Sequence, residues 1–498
     1  MSREPSNITR RSLLKRSAAV GAGAVLAGPA LPDFADAAKR GRINPLKARP
    51  GGLAGLGKLR DWNRYLAGLG ARHTGGESQA TFIRDLERGM RGLGWRTERR
   101  FQSFDRWDAV SFGLRVSVSG APMKPMPVAS CFPYSGRTGA AGITAELAYA
   151  GAGKEADFAA GDFRGKIAVI DVAAFNLPIG LVFNPYFDRP VDIDMSLPYD
   201  RSWLAAPPEL DAARAAGAAG VIAILPMVPD DAKGQYTPFA RKLQGLPALL
   251  VDSEQGESLR ELAKASGNRA GLNLMARRDR GRTSSLLAVL PGAGRDVVVV
   301  NTHTDGPNLI EENGPLAMLS IAQRMSAIPK AKRPSTLAFY FATGHFADGV
   351  ESSGAYLTEH PGLAARTKAG VTIEHLGCPE YVDDQVSSFT RTGKPEISGV
   401  FASNEKVAAI SQAAIERHGV TRCMTIKPAP LFFGEGAPLH EGGIPMMAYI
   451  SGPSYLLAER SRKVQLRRFD VRRMAAETAA CSRMIVKASA APAGSLIG

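Results

Sequence analysis

Residues 297–320, which read VVVVNTHTDGPNLIEENGPLAMLS, constrain the fold of this chain more than any other stretch. Four consecutive valines starting at Val297 form the short, β-branched run that is typical of a strand buried on both faces of a parallel sheet. His303, Asp305 and a pair of glutamates follow this run and precede a predicted helix. Ligands bind beyond the carboxyl ends of strands in open α/β sheets. These polar residues therefore lie where a binding site is expected.

The remainder of the chain continues the alternation of strands and helices. Further strands are predicted at 97–101, 113–119, 286–290, 336–342, 371–374 and 446–450. We expect 286–290 to lie beside the valine strand. Strands that alternate with helices indicate a mostly parallel sheet with helices on both faces, and hence an α/β fold. A chain of 498 residues also exceeds what one hydrophobic core usually supports, so two or more globular units are expected.

The formal net charge of +15 does not indicate nucleic-acid binding. Residues 1–37 contain five basic and three acidic residues, so their removal would leave +13. The remaining excess is scattered in short runs without interleaved aromatic residues, whereas nucleic-acid recognition needs a clustered basic surface. We therefore expect no nucleic-acid partner.

The N-terminus has the composition of an export signal. Residues 9–15 read TRRSLLK, and an apolar Gly/Ala-rich run at 18–31 and the sequence ADA at 35–37 follow. Paired arginines, a modest apolar region and a small-residue cleavage site are typical of a twin-arginine signal peptide. The apolar run is too short for a stable transmembrane segment. We predict that residues 1–37 engage the twin-arginine export machinery, that a linker follows at 38–57, and that the protein is periplasmic or extracellular.

Imidazole and carboxylate side chains gather at the predicted strand ends. Four of the seven histidines, His303, His345, His375 and His440, lie at or soon after such ends, and glutamates accompany them. Zinc in catalytic sites is held by such a mixture of ligands. The four cysteines are widely spaced and do not indicate sulfur ligands. A histidine at a strand end can also be held by hydrogen bonds alone, so a metal site and a polar loop cluster are both open.

A segment preceding the valine strand resembles the protease-associated domain. The resemblance is carried by the runs DFRGK at 162–166, GAAG at 217–220 and LPALLV at 246–251, each beside a predicted strand. It implies an α/β insert that caps or flanks a peptidase site and has no catalysis of its own. We place this insert at 136–280. The peptidase-like domain then comprises an N-terminal part at 58–135 and a main part at 281–498.

Most of the chain beyond the signal resembles the dinuclear-zinc aminopeptidases of peptidase family twenty-eight, which include bacterial leucyl aminopeptidases and the glutamate carboxypeptidase group. The resemblance runs in order through RHTG at 72–75, VVNTHTD at 299–305, residues 339–356, IE at 373–374 and GIP at 443–445. It implies a zinc-exopeptidase-like three-layer α/β sandwich with a mostly parallel sheet. It also implies one or two zinc ions and a peptide or small amide substrate.

The family's functional positions transfer to this chain residue by residue. His303 matches the first zinc-binding histidine, Asp305 the aspartate that orients it, and Glu374 a further ligand. The family's bridging aspartate falls on Ile310 or Glu311, depending on a one-residue gap; Glu311 is the residue that could bind metal, with Glu312 as its substitute. The resemblance thus assigns the metal to His303, Glu311, His345, Glu374 and His440, and catalysis to Glu312 and Asp305.

Two positions depart from the family pattern. Family members have adjacent glutamates after the strand at 336–342, the first a general base and the second a zinc ligand, whereas this chain has Gly344 and His345. The family's last histidine ligand falls on Gly436, and His440 would reach the site only if the loop is rebuilt. Candidate replacements for the base are Glu312, Glu351 and His375.

Two functions follow from these observations. The first is an exported metal-dependent hydrolase of the aminopeptidase type with a rearranged metal site. The alternative is a catalytically inactive homologue that binds a peptide or partner in the cell envelope. A serine hydrolase is not indicated, because the chain has no G-x-S-x-G sequence.

Overall fold

The computed structural model describes residues 44–175, 177–187 and 193–498. The predicted signal peptide at 1–37 and the first residues of the predicted linker lie outside these residues. The linker was predicted to reach residue 57, but the first described helix already begins at Leu56.

The strands form one large mixed sheet and a separate hairpin. They are β1 (Arg96–Ser117), β2 (Lys124–Met126), β3 (Ser130–Cys131), β4 (Ile143–Tyr149), β5 (Ile167–Asp171), β6 (Gly220–Ile224), β7 (Ala248–Val251), β8 (Arg269–Leu290), β9 (Val297–His303), β10 (Thr336–Ala342), β11 (Thr367–Ile373), β12 (Pro379–Asp383), β13 (Phe389–Pro395), β14 (Ser398–Ala402), β15 (Cys423–Ile426) and β16 (Met446–Ser451).

The helices lie mostly between consecutive strands. They are α1 (Leu56–Gly68), α2 (Glu77–Gly92), α3 (Glu155–Ala159), α4 (Ile179–Val182), α5 (Asp211–Ala215), α6 (Pro229–Ala232), α7 (Ser253–Lys264), α8 (Gly314–Ser326), α9 (Ala355–Glu359), α10 (Pro361–Ala364), α11 (Glu405–Arg417), α12 (Ala437–Glu441), α13 (Arg462–Arg467) and α14 (Val471–Ala490), with short 3₁₀ turns at Ser202–Leu204 and Lys330–Lys332. No helix within the described ranges is long and apolar enough to cross a bilayer.

The large sheet has 14 strands in the described part of the chain, and its main path runs β15-β14-β16-β11-β9-β10-β8-β4-β5-β6-β7-β3. The pairs β16-β11, β11-β9 and β9-β10 are parallel. The prediction that residues 286–290 lie beside β9 was wrong. These residues form the end of β8, which pairs antiparallel with β10. The buried valines of β9 are thus flanked by parallel strands on both sides, as their uninterrupted apolar run predicted.

One long antiparallel ribbon joins the two ends of this sheet. Strand β1 covers 22 residues and pairs with β8 along its length, whereas two short strands were predicted there. The middle of β1 is polar, so the sequence did not indicate one continuous strand. Charged residues there form pairs with residues of β8 across the ribbon. Arg106 Nη2, for example, lies 3.0 Å from Asp279 Oδ2.

The core lies on both faces of the central strands. Val298 and Val300 pack with Phe339 and Phe341 on one face, which helices α8 and α14 cover. Val297 and its neighbours on the other face pack with Tyr356 of α9 and Leu439 of α12. Helices on both faces of a mostly parallel sheet confirm the predicted α/β fold.

The segment predicted as an insert supplies the other end of the sheet. Strands β4 to β7 are parallel and have their own apolar core. Residues 177–187 and 193–204 leave this core, and Phe183 and Tyr199 pack there against Phe401 of β14 and Ile426 of β15. Side chains from this segment therefore reach the carboxyl-terminal side of the main sheet. The protease-associated assignment and the boundaries at 136 and 280 stay predictions.

Candidate metal centre

Three adjacent parallel strands deliver the candidate ligands to one edge of the sheet. His303 is the last residue of β9 and pairs with Ala342 at the end of β10. His345 lies in the loop after β10, and Glu374 and His375 directly follow β11. These side chains meet because the carboxyl ends of parallel neighbours point the same way.

The imidazole of His303 lies at the centre of a ring of buried carboxylates. Its Nε2 lies 3.6 Å from Glu311 Oε1, 3.8 Å from Glu312 Oε2 and 3.7 Å from Glu374 Oε1. It has no hydrogen-bond partner among the described residues. Donors about 2 Å from a shared zinc ion lie roughly 3–4 Å from one another, so these separations fit a metal ion.

His375 presents a second free nitrogen to the same carboxylates. Its Nδ1 lies 2.7 Å from the carbonyl oxygen of Ser451. This contact keeps a proton on Nδ1, so Nε2 is the nitrogen that would bind a metal ion. Nε2 lies 2.8 Å from Glu311 Oε2 and 3.3 Å from Glu312 Oε2, but not along a hydrogen-bond direction. Sequence reasoning considered His375 as a base and missed it as a ligand.

Among the residues that the structure describes, two groups of side chains could hold an ion, and they share one residue. The first comprises His303, Glu312, Glu374 and His375, and the second His303, Glu311 and His345. Within each group the donor atoms all lie within 4.8 Å of one another. The donor set fits zinc, because imidazole nitrogen and carboxylate oxygen are its usual ligands outside thiolate sites. Since one Nε2 atom binds one ion, the two groups compete for His303.

Asp305 organises the loop that carries His345. Its Oδ2 accepts hydrogen bonds from the backbone N–H groups of Gly344 and Phe346, at 3.1 and 3.3 Å, and from the Thr74 hydroxyl. The backbone oxygen of Asp305 lies 2.9 Å from Nδ1 of His303 and orients that ring. Asp305 therefore positions both histidines, and its Oδ2 atom is occupied by these donors, while Oδ1 lies 3.4 Å from Nδ1 of His303.

A buried arginine holds the acidic loop in place. The guanidinium of Arg72 donates to the backbone oxygens of Thr304, Asn308, Glu311 and Glu312 at 2.9–3.2 Å. Arg72 and Thr74 belong to the RHTG run, so this run supports the site without entering it. The peptide bond between Glu311 and Glu312 is cis.

The positions that departed from the family pattern have no room for the expected side chains. Gly344 has a φ of 88°, and a Cβ there would overlap Val350. A Cβ on Gly436 would come within 2.8 Å of Thr372 Oγ1 and of the Ala448 methyl. A side chain at either position would therefore force its neighbours to move.

Glu435 occupies the edge of the site instead, and sequence reasoning did not assign it a role. Its Oε1 lies 2.7 Å from Nδ1 of His345, while the Ser352 hydroxyl and the Ser353 N–H donate to Oε2. Burial raises the pKa of Glu435, but the hydrogen bond and charge of His345 outweigh it and hold that pKa well below its usual range. The signal for Glu435 in the sequence was its position directly before Gly436, on which the family's last histidine ligand falls.

His440 was predicted as a metal ligand, but it does not lie with the other candidate ligands. Its Nδ1 lies 2.8 Å from the Ser403 hydroxyl, and its ring stacks on Phe432 with centroids 4.6 Å apart. It lies on α12, after the loop that carries Glu435, and this loop brings the glutamate and not the histidine to the site. Glu351, a candidate base, is exposed and also lies outside the group.

The site has an excess of buried negative charge. Burial raises the pKa of Glu312 and of Glu374 to about 7. Burial lowers the pKa of His375, but the neighbouring Glu311 outweighs this and raises it to about 10. The carboxylates of Asp305 and Glu435 join the three clustered glutamates, against three imidazoles and Arg72. Buried charge must be paired or bound to metal, so a divalent cation would complete this balance.

An apolar cavity of about 120 Å³ opens onto the same atoms. Four site residues face it: Glu311, His345, Glu374 and His375. The remaining wall is mostly aromatic and aliphatic. A metal-capable cluster beside an apolar pocket is the usual form of a binding or active site.

Comparison with known proteins identifies the fold. No family model matches the sequence, and no curated protein sequence matches it. An aminopeptidase from Aneurinibacillus sp. strain AM-1 superposes with a TM-score of 0.57 at 17% identity, over 89% of this chain and 95% of that one. The zinc aminopeptidase BSAP from Bacillus subtilis gives 0.57 and 17% over 92% and 99%. A peptidase M28 precursor from Shewanella amazonensis gives 0.62 and 14% over 88% and 96%. The chain therefore has the fold of these aminopeptidases.

Proposed function

We propose that this protein is an exported, metal-dependent hydrolase of peptides or small amides, of the aminopeptidase type, with a rebuilt metal site. One observation carries the proposal. Nε2 of His303 is buried and has no hydrogen-bond partner among the described residues, and oxygens of Glu311, Glu312 and Glu374 surround it at 3.6–3.8 Å, too far for hydrogen bonds. A buried imidazole nitrogen without a partner is rare and costly, so its place among these carboxylates is best explained as a cation-binding site.

The side chains suggest a division of roles among the ligands. Both oxygens of Glu312 accept backbone N–H bonds, Oε1 from Gly314 and Oε2 from His375, and Glu312 does not face the cavity. We infer that Glu312 holds zinc together with His303, Glu374 and His375. Because this group uses the only free nitrogen of His303, we expect one ion per chain.

Glu311 is then the carboxylate that faces the substrate. It lines the cavity, and its Oε2 atom has no hydrogen-bond partner in the described structure. Zinc, when bound, would supply the Lewis acidity that polarises the scissile carbonyl. Glu311 would accept a proton from the attacking water and could return it to the leaving amine. This reverses the sequence-based roles of Glu311 and Glu312.

The test compares matched isosteric variants of the exported protein. Glu311→Gln is expected to retain zinc and lose about 10²–10⁴-fold in hydrolysis of aminoacyl p-nitroanilides, the usual contribution of a general base. Glu312→Gln is expected to lose zinc as well as activity. Glu441→Gln, on the exposed surface of α12, serves as the control with full activity. Retained zinc in Glu312→Gln, or full activity in Glu311→Gln, would contradict the assignment.

The second candidate is a non-catalytic, peptide-binding envelope protein, and the closed space at Gly344 favours it. It predicts peptide binding that survives a chelator and no hydrolysis by the zinc-loaded wild type.

Export is tested separately. Residues 1–37 fused to a folded reporter should direct export, and replacing Arg10 and Arg11 by lysine should stop it.

A further inference from the structure

Strand β1 has a free edge over most of its length. Residues 96–109 of β1 pair with β8 on one side, and their other side has no backbone partner within the described ranges. Residues 96–99 are the outermost strand of the main sheet, because the part of β8 beside them pairs with β10 on its other side. A free edge presents a row of N–H and C=O groups that can pair with another strand.

This edge is accessible to a partner strand. Of residues 96–108, all but two are exposed or half-buried. The exposed guanidinium of Arg280 donates to the backbone oxygen of Ser103 at 3.2 Å, a contact that an added strand would replace. The edge therefore meets solvent along almost its whole length.

Two copies of such an edge can pair with each other around a two-fold axis. The strands then run antiparallel, and each residue lies opposite the residue at the same distance on the other side of the axis. Facing residues also share one face of the sheet, so their numbers are both odd or both even. These two conditions leave a small set of registers, and the charges along the strand distinguish between them.

The charges of residues 96–108 are self-complementary in one of these registers. With the axis at Gln102, all facing charged residues have opposite signs. The pairs are Arg96 with Asp108, Glu98 with Arg106, and Arg99 with Asp105, and each pair occurs twice in the dimer. Moving the axis to Phe101 places Arg96 opposite Arg106. Moving it to Ser103 places Glu98 opposite Asp108. Opposite charges across a strand pair are stabilising, whereas like charges are destabilising.

Several of these side chains can take new partners at little cost. Glu98 contacts Arg100 at 2.6 Å and Asp105 contacts Arg280 at 2.9 Å, and all four side chains are about half exposed or more. Exposed ion pairs of this kind contribute little to stability. Arg96 is exposed and has no ion pair in the described structure. Pairing with a second copy would therefore add contacts without breaking a buried one at these positions.

The same register accounts for an exposed aromatic residue. The side chain of Phe101 is 54% exposed. With the axis at Gln102, Phe101 lies diagonally across from the second copy's Phe101. Diagonal neighbours in an antiparallel pair lie about 7–8 Å apart, which is within reach of two aromatic rings. Pairing would thus cover both phenyl groups at the centre of the interface.

We propose that this protein forms a two-fold dimer in which residues 96–108 of β1 pair antiparallel with the same residues of a second copy, with the axis at Gln102. The dimer joins the main sheets of the two copies into one continuous sheet. The alternating charges select this register and oppose the neighbouring ones. This inference is independent of the proposed hydrolytic function.

The first test measures the oligomeric state of the exported wild type by sedimentation velocity up to about 100 μM, where we expect a reversible dimer. Arg96→Asp places two pairs of carboxylates across the interface and should raise the Kd of the dimer about 10–100-fold. Arg115→Asp reverses an exposed charge of the same strand beyond the paired residues and should leave the Kd within about twofold. A wild type that is monomeric at about 100 μM would overturn the dimer, whether or not the variants fold.

The second test uses disulfide cross-linking to check the register. Gln102→Cys places two thiols at the axis with Cα atoms about 4.5–5.5 Å apart, within the range of a disulfide. The native cysteines are buried and should not interfere. Val110→Cys replaces a side chain that is 70% exposed, and its two copies would lie about 50 Å apart.

We expect mild oxidation to link Gln102→Cys into a covalent dimer and to leave Val110→Cys unlinked. A dimer in which Gln102→Cys does not link, or in which Val110→Cys links as readily, would overturn the register. A dimer that Arg96→Asp does not weaken would overturn the role of the charges.

Discussion

Replacing Asp305 by alanine tests how the site is assembled. The carboxylate accepts the backbone N–H groups of Gly344 and Phe346, and both residues are buried. A buried donor left without a partner costs about 1–3 kcal/mol. Two such donors predict a loss of about 2–6 kcal/mol in the free energy of unfolding.

The same substitution should weaken metal binding, because Asp305 holds the loop of His345 and lies beside Nδ1 of His303. Loss of a residue that orients a ligand typically costs about 10–100-fold in metal affinity. The assay combines urea unfolding in chelator with competition for zinc by a fluorescent indicator. Asp305→Asn keeps one acceptor oxygen and should fall between wild type and Asp305→Ala. An alanine variant within about 0.5 kcal/mol of wild type and with unchanged zinc affinity would refute this role.

Three further variants test other parts of the structure. Gly344→Ala should lower the free energy of unfolding by about 1–3 kcal/mol, because Gly344 has a φ of 88° and an added Cβ would overlap Val350. In urea unfolding, the additional substitution Val350→Ala should recover part of this loss. Equal stability of Gly344→Ala and wild type would contradict the prediction. His440→Ala should keep zinc affinity within about twofold of wild type, because His440 contacts Ser403 and Phe432 and not the candidate ligands. A larger loss of affinity, measured by competition with a zinc indicator, would show that His440 is a ligand. Burial raises the pKa of Asp231 to about 7. The folded state therefore binds more protons than the unfolded state between pH 4 and 7, and the free energy of unfolding should fall as pH rises through this range. Asp231→Asn should flatten the dependence of the melting temperature on pH, and an unchanged dependence would contradict the role of Asp231.

Local sequence patterns predicted the architecture and the edge at which the site lies. The valine run at 297–300 is typical of a strand inside a parallel sheet, and in such a sheet the polar residues after it meet those that follow β10 and β11. His303, Glu311, His345 and Glu374 were predicted from this logic and from resemblance, and the structure brings them together. Strand order was less accessible, because β8 and β9 are close in sequence yet lie on opposite sides of β10.

The roles within the site depend on contacts between distant residues, and no local pattern records them. Glu435 reaches His345 across 90 positions, and Arg72 holds a loop more than 230 positions away. Spacing to the GIP run at 443–445 placed the last ligand on Gly436, with His440 as the histidine that follows it, whereas the structure brings the neighbouring Glu435 to His345. Only side-chain geometry separates Glu311, which faces the cavity, from Glu312, which donors surround.

The most direct measurement is the metal content of the exported protein after metal-replete growth, determined by mass spectrometry of wild type, His303→Ala and His440→Ala. Zinc at about one equivalent per chain is expected in wild type and His440→Ala, and almost none in His303→Ala, because only His303 belongs to both candidate ligand groups. Trace zinc in the wild type, or equal zinc in His303→Ala, would contradict a cation at this edge of the sheet.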